Sequence, residues 1–339
     1  MKKLIALLLV LVLSVCLFAA CGKQPEQTEQ PAPTDPVASE DQPTPTEDGG
    51  DTPDVKDLKV ALVTVTQSFD FFINAEKGMQ DVFDEQGIEF AVYNYDIDSD
   101  RMIEVLTQVQ AMDFDVVICS FYDNSCANTQ LQELRDRGIK VVTYESAPSD
   151  DSVADAIILS DDFTSGYLCG KAMCEAIGGE GQVFSYCNRT MNSVANRLAG
   201  FEKALTEYPN VEHVTNLEDS SSESDTNAGA ALIQNVISLY PDIKGYFSGG
   251  ESNCLLAAPV VQDLGITDQI YIATVDCTSM LLDYMQQGIV NCCIDQDSYN
   301  LGRTVAETAI AAYLGETVEH YIYSPVTLVD SSNMADFIK

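Results

Sequence analysis

The sequence predicts an α/β protein built from two parallel sheets, each covered by helices on both faces. Three observations lead there. From residue 57 onward, short β-branched and apolar runs alternate with stretches whose apolar residues recur at helical spacing, in units of about 30 residues. The strand runs are apolar throughout rather than alternating, which is the pattern of parallel strands buried on both faces. The chain has 339 residues, and two such sheets fit that length.

The elements follow in order. A strand over 59–65 leads to a helix over 71–85, where Phe72, Ala75, Met79 and Phe83 share a face and Gln86-Gly87 ends the helix. A strand at 90–93 precedes a helix at 98–112, with Met102, Val105, Leu106, Val109 and Met112 on one stripe. A strand at 116–119, a helix at 128–137 and a strand at 140–144 continue the series. A polar stretch over 145–155, containing Pro148, interrupts it. The alternation resumes with strands at 156–159, 183–186, 211–217, 245–248, 270–275 and 290–294. Between and after them lie helices at 163–177, 192–207, 228–239, 253–264, 280–286 and 300–314.

Residues 1–57 are of another kind. Met1-Lys2-Lys3, an apolar run over 4–13 and a small-residue ending have the parts of a secretory signal. The apolar stretch 4–20 is nearly the ~20 residues a spanning helix needs, so a retained anchor is the competing reading. The ending Phe18-Ala19-Ala20-Cys21 resembles a bacterial lipobox, with Phe18 where Leu is usual. It implies removal of residues 1–20 and lipidation of Cys21, which holds a protein firmly to a membrane. Residues 22–57 hold seven of the chain's twelve prolines and ten acids, and no aromatic residue. Such a segment cannot bury enough apolar surface to offset its ordering entropy, and reads as a disordered acidic tether.

Charge and composition narrow the function. With 53 acidic and 17 basic residues the formal net charge is -36, opposite to what a phosphate backbone or an anionic lipid surface attracts. Nucleic acid is therefore not expected as a partner. His213 and His320 are the only histidines, which argues against a His-rich metal site. Beyond Cys21, nine cysteines follow the signal, with no C-x-x-C pair, and most sit in apolar patterns; they read as buried free thiols. There is no G-x-G-x-x-G after a strand, no G-x-x-x-x-G-K-[ST] and no G-x-S-x-G. Neither a nucleotide cradle nor a nucleophile elbow is present, and no catalytic residue is assigned. Paired acids such as Asp161-Asp162 before a helix read as N-caps.

In parallel α/β folds ligands bind at the carboxyl ends of the strands. The segments just after the predicted strands are 66–71, 120–124, 145–146, 186–190, 249–253, 276–278 and 295–297. They are polar, acidic and aromatic, with Arg189 and Arg197 the only arginines near them.

Several features agree in order and spacing with one family. They are Lys59-Val60-Ala61-Leu62-Val63 with Phe71-Phe72 and Lys77-Gly78, then Gly138 to Thr143, then Ser160-Asp161-Asp162 with Gly166 and Gly170. Arg197 with Gly200-Phe201, Tyr240-Pro241-Asp242-Ile243, Val275-Asp276, Gln286-Gln287-Gly288 and Asp295-Gln296 complete the set. Over about 58–339 the chain resembles the type I periplasmic binding proteins of sugar ABC importers, the ribose/galactose-binding class.

The resemblance implies two Rossmann-like lobes joined by three crossovers, near 145–161, 295–297 and 325–328. The N-terminal lobe would hold 58–160 plus 297–325, and the C-terminal lobe 161–296 plus 326–339. It implies a monomer without cofactor that closes on a sugar or polyol and passes it to an ABC permease, and indirectly to that permease's ATPase. By position Phe71 and Phe72 would stack on a sugar face, and Ser120, Glu145, Glu251, Asp276 and Gln296 would meet hydroxyls. The chain departs from the family at Glu145-Ser146 in place of Asp-Arg, at Ala195 and Gly250, and in lacking an aromatic residue near Ser224. A larger sugar, another polyol or an amine-bearing ligand fits those departures. The alternatives are a nucleoside- or autoinducer-binding relative, or a ligand sensor for a kinase; a surface enzyme is disfavoured.

Overall fold

The computed structural model describes residues 54–218 and 226–338. Cys21, the signal segment, the tether up to residue 53 and the stretch around Ser224 lie outside them.

Nearly every apolar run forms the element expected. β1 (Lys59–Thr64), α1 (Asp70–Gln86), β2 (Glu89–Asn94), α2 (Ser99–Gln110), β3 (Val116–Cys119), α3 (Asn128–Asp136), β4 (Lys140–Tyr144) and β5 (Ala156–Ser160) come first. Then follow α4 (Asp162–Ala176), β6 (Glu180–Tyr186), α5 (Asn192–Leu205), β7 (Asn210–Leu217), α6 (Thr226–Leu239), β8 (Ile243–Ser248), α7 (Glu251–Asp263), β9 (Tyr271–Val275), α8 (Ser279–Gln286) and β10 (Cys292–Asp295). The chain ends on α9 (Ser298–Tyr313), β11 (Tyr321–Ser324) and β12 (Thr327–Asp330). The last two strands have no apolar run to announce them. Met112 falls beyond the end of α2 and is 48% exposed, so it leaves the stripe on which its spacing put it.

The strands form two six-stranded sheets, ordered β11-β5-β4-β3-β1-β2 and β12-β10-β9-β8-β6-β7. All pairings are parallel except β10 with β12. Side chains alternate across each strand. Val60 and Leu62 face the layer of α1 and α9, while Ala61 and Val63 face α2 and α3. In the second sheet Phe184, Tyr246 and Ile272 face α6, α7 and α8; Val183, Phe247 and Ala273 face α4 and α5. The same alternation sends adjacent Cys292 and Cys293 into opposite layers. The nine cysteines among the described residues are free thiols, seven of them buried.

The chain passes between the sheets three times, from β5 into α4, from β10 into α9, and from β11 into β12. Two of these passes touch, since the Asp161 N–H donates to the Ser324 carbonyl at 3.2 Å.

One helix layer of each sheet holds a very close helix pair made by two glycines. A Cβ at Gly78 of α1 would stand 2.0 Å from the Tyr299 carbonyl oxygen, and one at Gly302 of α9 2.0 Å from that of Ala75. Gly166 of α4 and Gly200 of α5 repeat the device, with a Cβ 1.7 Å from the Arg197 oxygen and 1.9 Å from the Phe163 oxygen respectively. The obstacles are backbone, so an added methyl must push the helices apart. Overpacking of this kind costs about 1–3 kcal/mol. Gly166→Ala is expected to lower the melting temperature by about 2–12 °C, taking roughly 2–4 °C per kcal/mol. Thermal unfolding followed by circular dichroism checks this, and an unchanged midpoint would contradict the packing described.

Candidate functional site

The carboxyl ends of both sheets open onto one cleft of 1130 Å³. β1 and β3 lead into its aromatic wall, made by Phe71 and Phe72 in the first turn of α1 and by Phe121 and Tyr122 after β3. The rings of Phe71 and Phe72 stand edge to face, 5.3 Å apart. Phe72 also packs on the core between α1 and the sheet, and lies 6.3 Å from the ring of Tyr144.

Glu145, Asp276 and Gln296 each follow the last residue of a strand, namely β4, β9 and β10. Glu145 and Asp276 adopt left-handed backbone angles, φ 64° and 77°. That conformation costs about 1–3 kcal/mol for a residue with a side chain, and persists where surroundings hold it. Here it turns both carboxylates into the cleft. Glu251, the first residue of α7, also lines the cleft. Ser120 does not. It is fully buried at the end of β3, and the next two residues, Phe121 and Tyr122, reach the cleft in its place.

One buried cation joins these groups. Arg197, on the inward face of α5, is 4% exposed. Its Nε donates to Asp162 Oδ1 at 2.7 Å and Nη1 to the Gly249 carbonyl at 3.1 Å. Nη2 donates to both Glu145 Oε1 at 3.2 Å and Gln296 Oε1 at 2.9 Å. Gln296 in turn donates from Nε2 to Asp276 Oδ1 at 2.5 Å. Asp276 Oδ2 accepts from the Glu251 N–H at 3.0 Å, so Asp276 holds the start of α7. The start of α8 is capped instead by Thr278, whose hydroxyl accepts from Leu281 N and donates to Glu251 Oε1.

Arg197 and Asp162 are the residues that sequence reading does not assign. Of the two acids read as caps, Asp161 does accept from Thr164 N at 3.0 Å, whereas Asp162 turns inward and is 5% exposed. A visible signal was an arginine sharing a buried helix face with Ser193, Leu198 and Phe201.

Three carboxyls compete for one guanidinium. Burial pushes Glu145 up to about 8, against the pull of Arg197 and with the charges of Asp162 and Asp276 adding to the rise. Burial raises Asp162 as well, opposed by Arg197. Glu251 is raised by burial, eased by the Thr278 hydroxyl and reinforced by Asp276 and Asp70. Arg197 is held charged by Asp162, Glu145 and Asp276, which outweigh its own burial.

A carboxyl that binds its proton more tightly in the folded than in the unfolded chain stabilises the fold at low pH. That contribution is lost as pH rises through the folded value. For Glu145 the window runs from the ordinary value of 4.5 to about 8. Glu145→Gln is expected to gain on wild type across it, by at most ~1.4 kcal/mol per pH unit. Denaturant midpoints of both proteins at about pH 5 and about pH 8 test this. A gap that does not widen in the variant's favour would show that Glu145 is ionised in the folded protein throughout.

Among the described residues no group of three or more His, Cys, Asp and Glu is placed to hold a metal ion. No helix among them is long and apolar enough to cross a membrane.

Two sheets of mostly parallel strands, three passes between them and a polar cleft at the strand ends define a type I periplasmic-binding-protein fold. Residues 60–317 match the family described as periplasmic binding protein domain, and the chain belongs to that family. It is a family of extracytoplasmic solute-binding proteins of ABC transporters, not of enzymes. The chain is 20% identical over 329 residues to the ribose import binding protein of Bacillus subtilis (strain 168), covering 97% of this chain and 99% of the relative. Among solved structures it resembles an ABC transporter solute-binding protein from Burkholderia graminis C4D1M in complex with D-arabinose. The TM-score is 0.77 at 20% identity, over 85% of this chain and 100% of the other. A solute-binding protein from Bacillus halodurans C-125 with bound myo-inositol aligns with a TM-score of 0.75, also at 20% identity, over 85% and 99%.

Proposed function

We propose that this chain is the receptor of an ABC importer that captures a small polyhydroxylated ligand, a sugar or polyol, in the cleft and hands it to the permease. The observation that carries this is that an aromatic pair, Phe71 and Phe72, shares one cleft with a hydrogen-bonded set of Glu145, Gln296, Asp276 and Glu251. Sugars present apolar C–H faces and hydroxyl edges. Rings cover the first, and carboxylates and amides bind the second through charge-assisted hydrogen bonds. The relatives named for ribose and the neighbours holding D-arabinose and myo-inositol support the same ligand class.

The N-terminal lobe is 58–160 plus 297–325, and the C-terminal lobe is 161–296 plus 326–339. Closure is a hinge motion about the three passes. Glu145 precedes the first pass and Arg197 lies beyond it, so their ion pair bridges the lobes across the cleft. A thermal-shift screen of neutral sugars, cyclitols and nucleosides tests the reading. A ligand at ~100 times its dissociation constant adds ~2.7 kcal/mol of stability. At least one sugar or polyol is expected to raise the melting temperature by several degrees. A rise with nucleosides alone would reassign the ligand class.

Anchoring is through diacylglycerol on Cys21, with residues 22–57 as the tether. Cys21→Ser is expected to abolish partitioning into the detergent phase. A mutant that partitions like wild type would make the apolar segment over 4–20 a retained anchor.

A further inference from the structure

We infer that the cleft is built for a positively charged ligand, an amine-bearing sugar or cyclitol, rather than for a neutral one. The inference rests on the reading of the cleft as a polyol site and specifies its charge.

Carboxylates line the cleft from both lobes, with Asp70 and Glu145 on one side and Glu251 and Asp276 on the other. No lysine lines it, and Arg197 is the one basic side chain among the described lining residues. That arginine is already engaged. It donates to Asp162, to Glu145, to Gln296 and to the Gly249 carbonyl, and is almost wholly buried beneath the cleft. Asp162, which it grips most closely, adds a further negative charge to the same cluster. The cleft therefore presents more negative charge than its own residues balance.

A second observation is independent of the acid count. Glu145 Oε2 is buried and has no hydrogen-bond partner among the described residues, although Oε1 is held by Arg197. A buried carboxyl oxygen left unpaired is costly, and a cationic donor in the cleft would both satisfy it and, by its charge, favour the ionised form of Glu145 that burial alone disfavours. Closing the lobes on a neutral polyol would remove Glu251 and Asp276 from water with no added counter-charge, which is the expensive way to bury carboxylates. An ammonium group supplies both the donors and the charge. The aromatic wall is compatible, because ring faces attract cations as well as C–H groups.

The test is calorimetric titration of the purified protein with matched pairs. Each pair is a neutral aldose or cyclitol and its amino-deoxy counterpart, for example D-glucose with D-glucosamine and D-galactose with D-galactosamine, together with myo-inositol and its amino-deoxy analogue. In at least one pair the amine is expected to bind roughly tenfold or more tighter, as suits a charge-assisted contact that its partner lacks. Glu251→Gln is expected to cut that preference by a similar factor, and the wild-type comparison stands alone should the variant not fold. If the neutral member binds as well as or better than the amine in every pair that binds, the charge inference is overturned while the sugar reading survives. If no member of any pair binds, both are overturned.

Discussion

Arg197→Leu is expected to be the most damaging single substitution in the protein. Removing one partner of a buried ion pair leaves the other as an uncompensated buried charge, at a cost of about 3–5 kcal/mol. Here two carboxyls are stranded, Asp162 at 5% and Glu145 at 13% side-chain exposure. The Gly249 carbonyl and the Gln296 amide lose a donor as well. The melting temperature is expected to fall by about 6–20 °C. Asp162 sheds part of the penalty by taking up a proton, as Glu145, pushed up to about 8, does at higher pH, so the loss is expected to be smaller at low pH. Arg197→Lys keeps the charge but not the planar fork that reaches four acceptors, and should fall between the variant and wild type. Denaturant titration at two pH values reads all three effects, and a wild-type midpoint for Arg197→Leu would show that the cluster adds nothing to stability.

Asp276 carries the second large effect, this time on binding. Its carboxylate is fixed by the Glu251 N–H and by Gln296, which use one site on each oxygen and leave further lone pairs toward the cleft. One hydroxyl contact there, charge-assisted at roughly 1.5–3 kcal/mol, makes the residue worth roughly tenfold to somewhat over a hundredfold in affinity. Asp276→Asn is expected to lower the unliganded melting temperature only modestly, because its amide oxygen can still accept from the Glu251 N–H although its NH2 then meets the Gln296 amide donor. It should lose most of the ligand-induced shift. Asp276→Ala should lose both, since the start of α7 loses its partner. A full ligand shift in Asp276→Asn would take this residue out of the site.

The contrast between these two residues shows how far the sequence could be read. Asp276 was legible because it follows an apolar strand, and strand ends are where parallel sheets bind ligands. The same rule found Glu145, Gln296 and the turn at Glu251. It missed at Ser120, because successive residues past a strand point to opposite sides and the rule does not say which. Arg197 and Asp162 were visible only as a charge on a buried helix face and as half of an apparent cap. Their pairing spans 35 positions, and that of Arg197 with Glu145 spans 52, so only the folding of the second layer brings them together.

The sheets divide in the same way. β1, β3 and β4 are apolar because both faces are buried, and each was plain. β11 and β12 are four-residue edge strands, partly exposed along most of their length, and carry no such signature. They are placed by pairing with β5 and β10, partners more than thirty residues away in sequence. In the sequence the glycines are members of an ordered pattern. Their physical reason, two helix pairs in backbone contact, appears only when α1 meets α9 and α4 meets α5.

The most direct measurement is the crystal structure of the complex with the tightest ligand from the titrations. The ligand is expected between Phe71 and Phe72 on one side and Asp276 and Glu251 on the other. A ligand donor should lie within hydrogen-bond distance of Asp276 or of Glu145 Oε2, with the ion pair of Arg197 and Glu145 intact beneath it. A ligand bound outside this cleft, or inside it with no contact to Glu145, Glu251 or Asp276, would contradict the site.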